Sequence, residues 1–317
     1  MIIADDLRGK LFPAVPVPFG SDGRVDGAAQ ERYVAHLASQ PMGGVAVWAH
    51  TGRGLRLSDA QRAEVLTAWR RGLPGDRLVI ASAGAPPQER DPERVIGSAA
   101  AMARRAAGLG ADALLVHPPV AFRGRADQDR LVLRYHAAVA EAGLPLVLFF
   151  LYEAAGGIAY GPQLLAELLA RPEVLGIKVA TLDGVMTFQQ VARLVRTHAP
   201  EKLLITGEDR FLGYSLMAGA GAALIGLGAA CTALQDAFLQ GYWSGAADRF
   251  LALNGPVDDL AQHTFLAPME GYIQRMLWCL VHQGVIPAEA AHDPWGPRLG
   301  TAEFDQIGAC LARLPRV

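Results

Sequence analysis

The chain has 317 residues, of which 51% are hydrophobic and 19% charged, with a formal net charge of -2. That apolar fraction excludes a disordered chain, and near-balanced charge with no basic block argues against a nucleic-acid partner. The length suits one large domain or two smaller ones.

Of the 29 lysines and arginines only Lys10, Lys178 and Lys202 are lysine. The bland reading is a GC-rich genome that writes surface cations as arginine. The sharper one is that a surviving lysine does what arginine cannot. Buried lysine can lose its proton and become a nucleophile, whereas arginine stays charged. Cys231, Cys279 and Cys310 lie far apart and form no CxxC pair, which fits a reducing cytosol. The opening MIIADDLRGK has early acids and no apolar core, so no signal peptide is expected and the chain reads as cytoplasmic. The uncharged stretch from Phe211 to Gln235 is broken by glycines. It reads as a buried helix, a turn and a strand rather than a membrane span.

Eight short apolar runs follow one another: LFPAVPV from Leu11, GVAVW from Gly44, RLVIASA from Arg77, DALLVH from Asp112, PLVLFF from Pro145, VLGIKVA from Val174, KLLIT from Lys202 and AALIGL from Ala222. Each has the length and continuity of a strand buried on both faces. The segments between them have helical spacing, and Ser58 and Asp91 stand where N-caps belong. Eight strand–helix units predict an α/β fold, a (β/α)8 TIM barrel over residues 1–231. A doubly wound sheet is second choice, because PFGSDGRVD after the first strand is no glycine fingerprint. Residues 232–317 hold helical stretches and no strand, and are expected to form a helical C-terminal extension on the barrel.

The active site of such a barrel lies at the C-terminal ends of its strands. The polar residues expected there are His50, Thr51, Arg53, Ser82, His117, Tyr152, Glu153, Lys178, Glu208 and Asp209. Lys178 stands out because its neighbours are apolar. Burial disfavours its ammonium form, and a neutral amine attacks a ketone to give a Schiff base. The competing reading is a lysine snorkelling from the strand end or paired with Glu208 or Asp209. Residue type alone leaves these even.

The Gly-Ile-Lys run at Lys178 stands in order with PVPFGSDGRVDGAAQERYVAHL, TGRGLRLSDAQRAEVL, GADALLVHPP and GEDRFLGYSLMAGAGAALIGLGA. Together these segments resemble the N-acetylneuraminate lyase/dihydrodipicolinate synthase family, class I aldolases on a (β/α)8 barrel. The likeness spans essentially the whole chain. It implies that Lys178 is the Schiff-base lysine and that Thr51 and Gly52 hold the carboxylate of a 2-keto acid. Loop amides form a nest suited to such an anion. It also implies a homo-oligomer, a dimer or tetramer, and chemistry that needs no cofactor.

The departures are as informative. The family's Gly-Thr-Thr-Gly-Glu is Ala49-His50-Thr51-Gly52-Arg53 here, so His50 replaces a relay threonine and Arg53 replaces the Glu. The strand-five tyrosine, the family's general acid/base, aligns with Phe149. The arginine that takes the aldehyde's carboxylate aligns with Ala154, and a second relay tyrosine with Val120. The resemblance therefore implies a lyase or aldolase that is not a dihydrodipicolinate synthase. It fits the sialic acid lyases poorly too, since they keep the tyrosine.

His50 is the first candidate to take over proton transfer, since imidazole as a residue type suits general acid/base work. Tyr152 and Glu153 follow, with a solvated loop carboxylate as the alternative for Glu153. A three-residue slip in alignment would make Tyr152 the family tyrosine, but at the cost of a longer fifth strand. Glu208 either contacts substrate or pairs with Arg53; Arg53 either binds an acidic group or bridges loops. Gly226 at the mouth either accepts an anion or serves close packing. A metal set from His50, His117 and Glu153 or Asp209 has no supporting motif, so no metal is expected. Two rival readings remain: a non-catalytic relative that binds a small acid, and a metal-dependent barrel lyase.

Overall fold

The structure is a computed structural model and describes residues 2–182 and 184–317. The eight apolar runs are eight strands. They are β1 (Leu11–Pro13), β2 (Gly44–Val47), β3 (Leu78–Ala83), β4 (Ala113–Val116), β5 (Leu146–Leu151), β6 (Val174–Ala180), β7 (Leu203–Thr206) and β8 (Ala222–Ile225). All pair in parallel in the order β1-β8-β7-β6-β5-β4-β3-β2. A parallel bridge between Ala14 and Ala46 joins the two ends and closes the barrel.

Strand alternation sorts the core into two layers. Phe12, Ala46, Ile80, Leu115, Val147, Phe149, Ile205 and Leu224 fill the barrel interior. Val45, Val79, Leu114, Leu148, Ile177, Val179 and Leu204 point outward against the helices. A register shift at the start of the β5–β6 pairing sets the phase of the rest of β6. With Ile177 and Val179 outward, Lys178 faces the barrel axis, since successive side chains alternate.

The helices begin where their caps predict. Ser58 accepts from the Gln61 N–H at 3.3 Å and completes a capping box before Asp59–Gly72, and Asp91 accepts from Arg94 N–H at 2.9 Å before Pro92–Gly108. Beyond β8 the described residues contain helices and no further strand. These are Thr232–Trp243, Ala247–Thr264, Tyr272–His282 and Thr301–Arg313. The run ALQDAFLQGYWSGAADRFLAL reads as one helix in sequence but is two. Gly245, at φ 77°, turns the chain between them. Among the described residues no helix is long and apolar enough to cross a membrane.

Candidate active site

Lys178 lies at the inner face of β6, in register with Phe149 of β5 and Ile205 of β7. It is 6% exposed, and its Nζ stands 4.2 Å from the centroid of the Phe149 ring. Burial lowers its pKa from the ordinary lysine value; the carboxylates of Asp209 and then Glu208 oppose that shift. Asp209 answers in kind. Burial raises its pKa, while the Leu227 N–H, donating at 2.7 Å, and the Lys178 charge pull it down. The charge of each group thus works against the effect of burial on the other. Lys10 and Lys202 are elsewhere. Lys202 Nζ donates to the carbonyls of Arg171 and Val174 at the opposite end of the barrel.

The loop after β2 forms the next wall. Trp48 and Arg53 hold positive φ, 59° and 52°, and bracket His50-Thr51-Gly52. Non-glycine residues take that conformation at a cost, and such strain gathers at functional loops. The turn closes through Arg53 N–H to His50 C=O at 3.1 Å. Among the described residues no acceptor is recorded for the N–H groups of Thr51 or Gly52.

The third wall was not legible in the sequence, because it comes from the segment after β8. Tyr272 opens the Tyr272–His282 helix and is buried against Phe265, with rings stacked at 4.7 Å. Its hydroxyl lies 3.0 Å from Thr51 Oγ1 and 3.0 Å from His50 Nδ1. His50 Nε2 in turn sits 3.2 Å from Glu270 Oε1. An imidazole carrying its proton on Nε2 makes this a one-way chain: Thr51 donates to Tyr272, Tyr272 to His50, and His50 to Glu270. Burial raises the Tyr272 pKa well above the ordinary phenol value, so the group stays a proton donor at neutral pH.

Arg53 fastens this arrangement. Its guanidinium bonds Asp293 Oδ2 at 2.6 Å and Glu270 Oε2 at 2.6 Å. Burial would lower its pKa, but the two carboxylates prevail and raise it. Burial likewise would raise Glu270, yet hydrogen bonds and charge from His50 and Arg53 hold it down at about 2. Arg53 therefore bridges the β2 loop to the C-terminal segment. The pairing of Arg53 with Glu208 weighed from sequence does not occur. Glu208 is fully buried and accepts from the N–H and hydroxyl of Thr181, at 2.5 and 2.9 Å, and from Leu182 N–H at 2.9 Å. Burial pushes its pKa up to about 7 against those bonds.

These residues converge on a small cavity of about 40 Å3 at the mouth. Lys178, His50, Thr51, Phe149, Tyr152, Glu208, Asp209, Gly226 and Tyr272 all line it. Glu153 does not. It sits exposed on the turn Glu153–Ala155, because β5 runs to Leu151 and spends Tyr152 on the cavity wall. Gly52 is absent from that wall as well, although its neighbour Thr51 is present. His117 lies behind Phe149, 5.6 Å between ring centroids, and its Nε2 donates to Trp48 C=O at 3.4 Å. Burial lowers its pKa to about 3, so it is neutral. Among the described residues the one cluster with metal-ligand spacing is Asp259, His263 and Cys310, in the C-terminal segment and not the set considered from sequence.

A second cavity of about 340 Å3 opens beside the first and shares His50 and Leu151 with it. It lies among the loops after β2, β3, β4 and β5.

Residues 7–302 match the model of the dihydrodipicolinate synthetase family. A 4-hydroxy-tetrahydrodipicolinate synthase of Xanthomonas axonopodis pv. citri is 30% identical over 300 residues, covering 91% of this chain and 92% of its own. Among solved structures, a dihydrodipicolinate synthase from Agrobacterium tumefaciens superposes with a TM-score of 0.83 at 21% identity, covering 98% of this chain and 99% of that one. The sialic acid aldolase of Ruminococcus gnavus gives 0.81 at 18% identity, with 97% of each chain covered. At those identities the two structures speak for the fold alone.

Proposed function

The chain belongs to the dihydrodipicolinate synthetase family, and from that premise we propose a Schiff-base lyase or aldolase acting on a 2-keto acid such as pyruvate or a 2-keto-3-deoxy acid. The observation that carries this reading is the buried Lys178 amine, held beside Asp209 in a cavity that ends at the β2 loop. The neutral amine attacks the C2 carbonyl, and loss of water leaves an iminium. The keto-acid carboxylate rests on Thr51, the member of the Thr51-Gly52 pair that lines the cavity. The iminium withdraws the electron pair released when the C3–C4 bond breaks, or when a C3 proton leaves before addition to an aldehyde.

Phe149 cannot move a proton, so another group serves. Tyr272 is the choice that the hydrogen bonds favour, with Thr51 on one side and His50 and Glu270 on the other. Tyr152 shares the cavity and contributes to its wall, and Glu153 is set aside because it faces solvent. The absence of the strand-five tyrosine and the alanine at position 154 support an activity other than dihydrodipicolinate synthesis. By the same family logic the active form is a homo-oligomer, which light scattering checks. Borohydride added with pyruvate or a 2-keto-3-deoxy acid tests the central claim. The expected result is a reduced adduct mapped by mass spectrometry to Lys178. No adduct across a keto-acid panel overturns it. A non-catalytic acid binder would instead show ligand-induced thermal stabilisation with no turnover.

A further inference from the structure

We propose that the larger cavity selects an apolar, ring-sized acceptor, so that the aldehyde partner of the 2-keto acid is an aryl or alicyclic aldehyde rather than an acidic or polyhydroxylated one. This inference rests on the Schiff-base reading and names the second substrate of that site. The cavity holds about 340 Å3, within the range that encloses a ring-bearing ligand, and it adjoins the Lys178 cavity across His50 and Leu151. An aldehyde there presents its carbonyl carbon toward C3 of the keto-acid adduct. The C3 carbanion equivalent forms the new bond, the carbonyl oxygen takes a proton, and water then releases the product from Lys178.

Apolar side chains make up most of the walls. Pro86, Pro118, Pro119, Val120, Ala154 and Trp295 give the chamber its sides. The charged and polar groups that reach it are nearly all spent. Arg53 is held by Asp293 and Glu270, His50 by Tyr272 and Glu270, and His117 by the Trp48 carbonyl. Glu89 accepts from the N–H groups of Arg90 and Asp91. Arg56 is the remaining cation, and it is exposed at the rim. A carboxylate or a row of hydroxyls inside would exchange its water for little more than Arg56 at the rim, whereas a ring gains by leaving water.

The test is aldol addition of pyruvate to matched aldehydes: benzaldehyde and cyclohexanecarbaldehyde against succinic semialdehyde and glyceraldehyde. The expected kcat/KM for benzaldehyde is at least tenfold above that for succinic semialdehyde. Ala154→Arg, which places a cation in the wall, is expected to shrink that ratio at least tenfold. Preference for the acidic or hydroxylated aldehyde overturns the proposal, as does a ratio that Ala154→Arg leaves unmoved. If succinic semialdehyde is preferred and Arg56→Met removes the preference, the rim arginine selects and the proposal fails. Borohydride trapping with pyruvate alone separates the two readings. An adduct on Lys178 without preference for rings sinks this inference only. If no adduct forms, the Schiff-base reading fails and the cavity is judged by saturation-transfer NMR with benzyl alcohol, an unreactive stand-in. Saturable binding weakened at least fivefold by Ala154→Arg supports ring selection; no binding overturns it.

Discussion

Replacing Tyr272 by phenylalanine isolates the hydroxyl that links the β2 loop to the C-terminal segment. The ring and its stack on Phe265 remain, and only the hydroxyl goes. Two contacts of 3.0 Å disappear, to Thr51 Oγ1 and His50 Nδ1, and both partners lose their mutual link in a buried place. The cost in stability is expected to be about 1–3 kcal/mol, the range for stranding buried hydrogen-bonding groups. The cost in rate is larger if the phenol moves a proton, since a positioned general acid or base contributes about 10²- to 10⁴-fold. We therefore expect kcat to fall by at least about 100-fold while KM for the keto acid changes little, because Thr51, which holds its carboxylate, is retained. Steady-state pyruvate release, read beside urea unfolding of the same variant, separates the two effects. Adding Phe149→Tyr to this variant returns a hydroxyl to the position in register with Lys178 and is expected to recover part of kcat. The relay argument is wrong if Tyr272→Phe keeps kcat within twofold, or if only KM moves.

Three further variants test the geometry. Lys178→Arg keeps a cation but removes the amine, so borohydride trapping should vanish while circular dichroism stays native. Arg53→Met strands two carboxylates, one of them the buried Asp293. Breaking a buried pair costs about 3–5 kcal/mol, and chemical denaturation should show it. The same variant tests acid sensitivity. Glu270 is depressed from its ordinary 4.5 to about 2, so its stabilising share is complete above pH 4.5 and fades as pH falls toward 2; Arg53→Met should flatten that limb. Gly207→Ala places a methyl 2.5 Å from Lys178 Cε and 3.0 Å from the Val179 carbonyl oxygen. The amine must shift, and the trapping rate should drop with an overpacking cost of about 1–3 kcal/mol in stability. An unchanged rate would mean the cavity tolerates a displaced amine.

The barrel was readable because strands buried on both faces leave continuous apolar runs, and each run became a strand within a few residues. Lys178 was readable for the same reason: a cation inside such a run must face either the axis or the helices. Phe149 was readable by alignment, and it does face the lysine. Tyr272, Glu270 and Asp293 were not. They meet the β2 loop across more than two hundred residues, and nothing in MEGYIQRMLWCLVHQG separates Tyr272 from the apolar face of its helix. One trace existed. An arginine where relatives carry an acid calls for new carboxylates nearby, and Arg53 found two in the segment read only as helical packing. Tyr152 and Glu153 form a polar pair at a strand end and read alike in sequence, but the chain leaves β5 at Leu151, so Tyr152 lines the cavity while Glu153 sits exposed on the following turn.

The Arg53 clamp also orders events in the life of the molecule. A nascent chain that has released all eight strands has the amine of Lys178 but neither Tyr272 nor the carboxylates that lock the β2 loop. Docking of the C-terminal helices is thus what brings Tyr272, Glu270 and Asp293 to the β2 loop, and with them the proton path proposed above. A chain halted before it would hold a lysine without a partner to move protons, and onset of turnover would report completion of the fold.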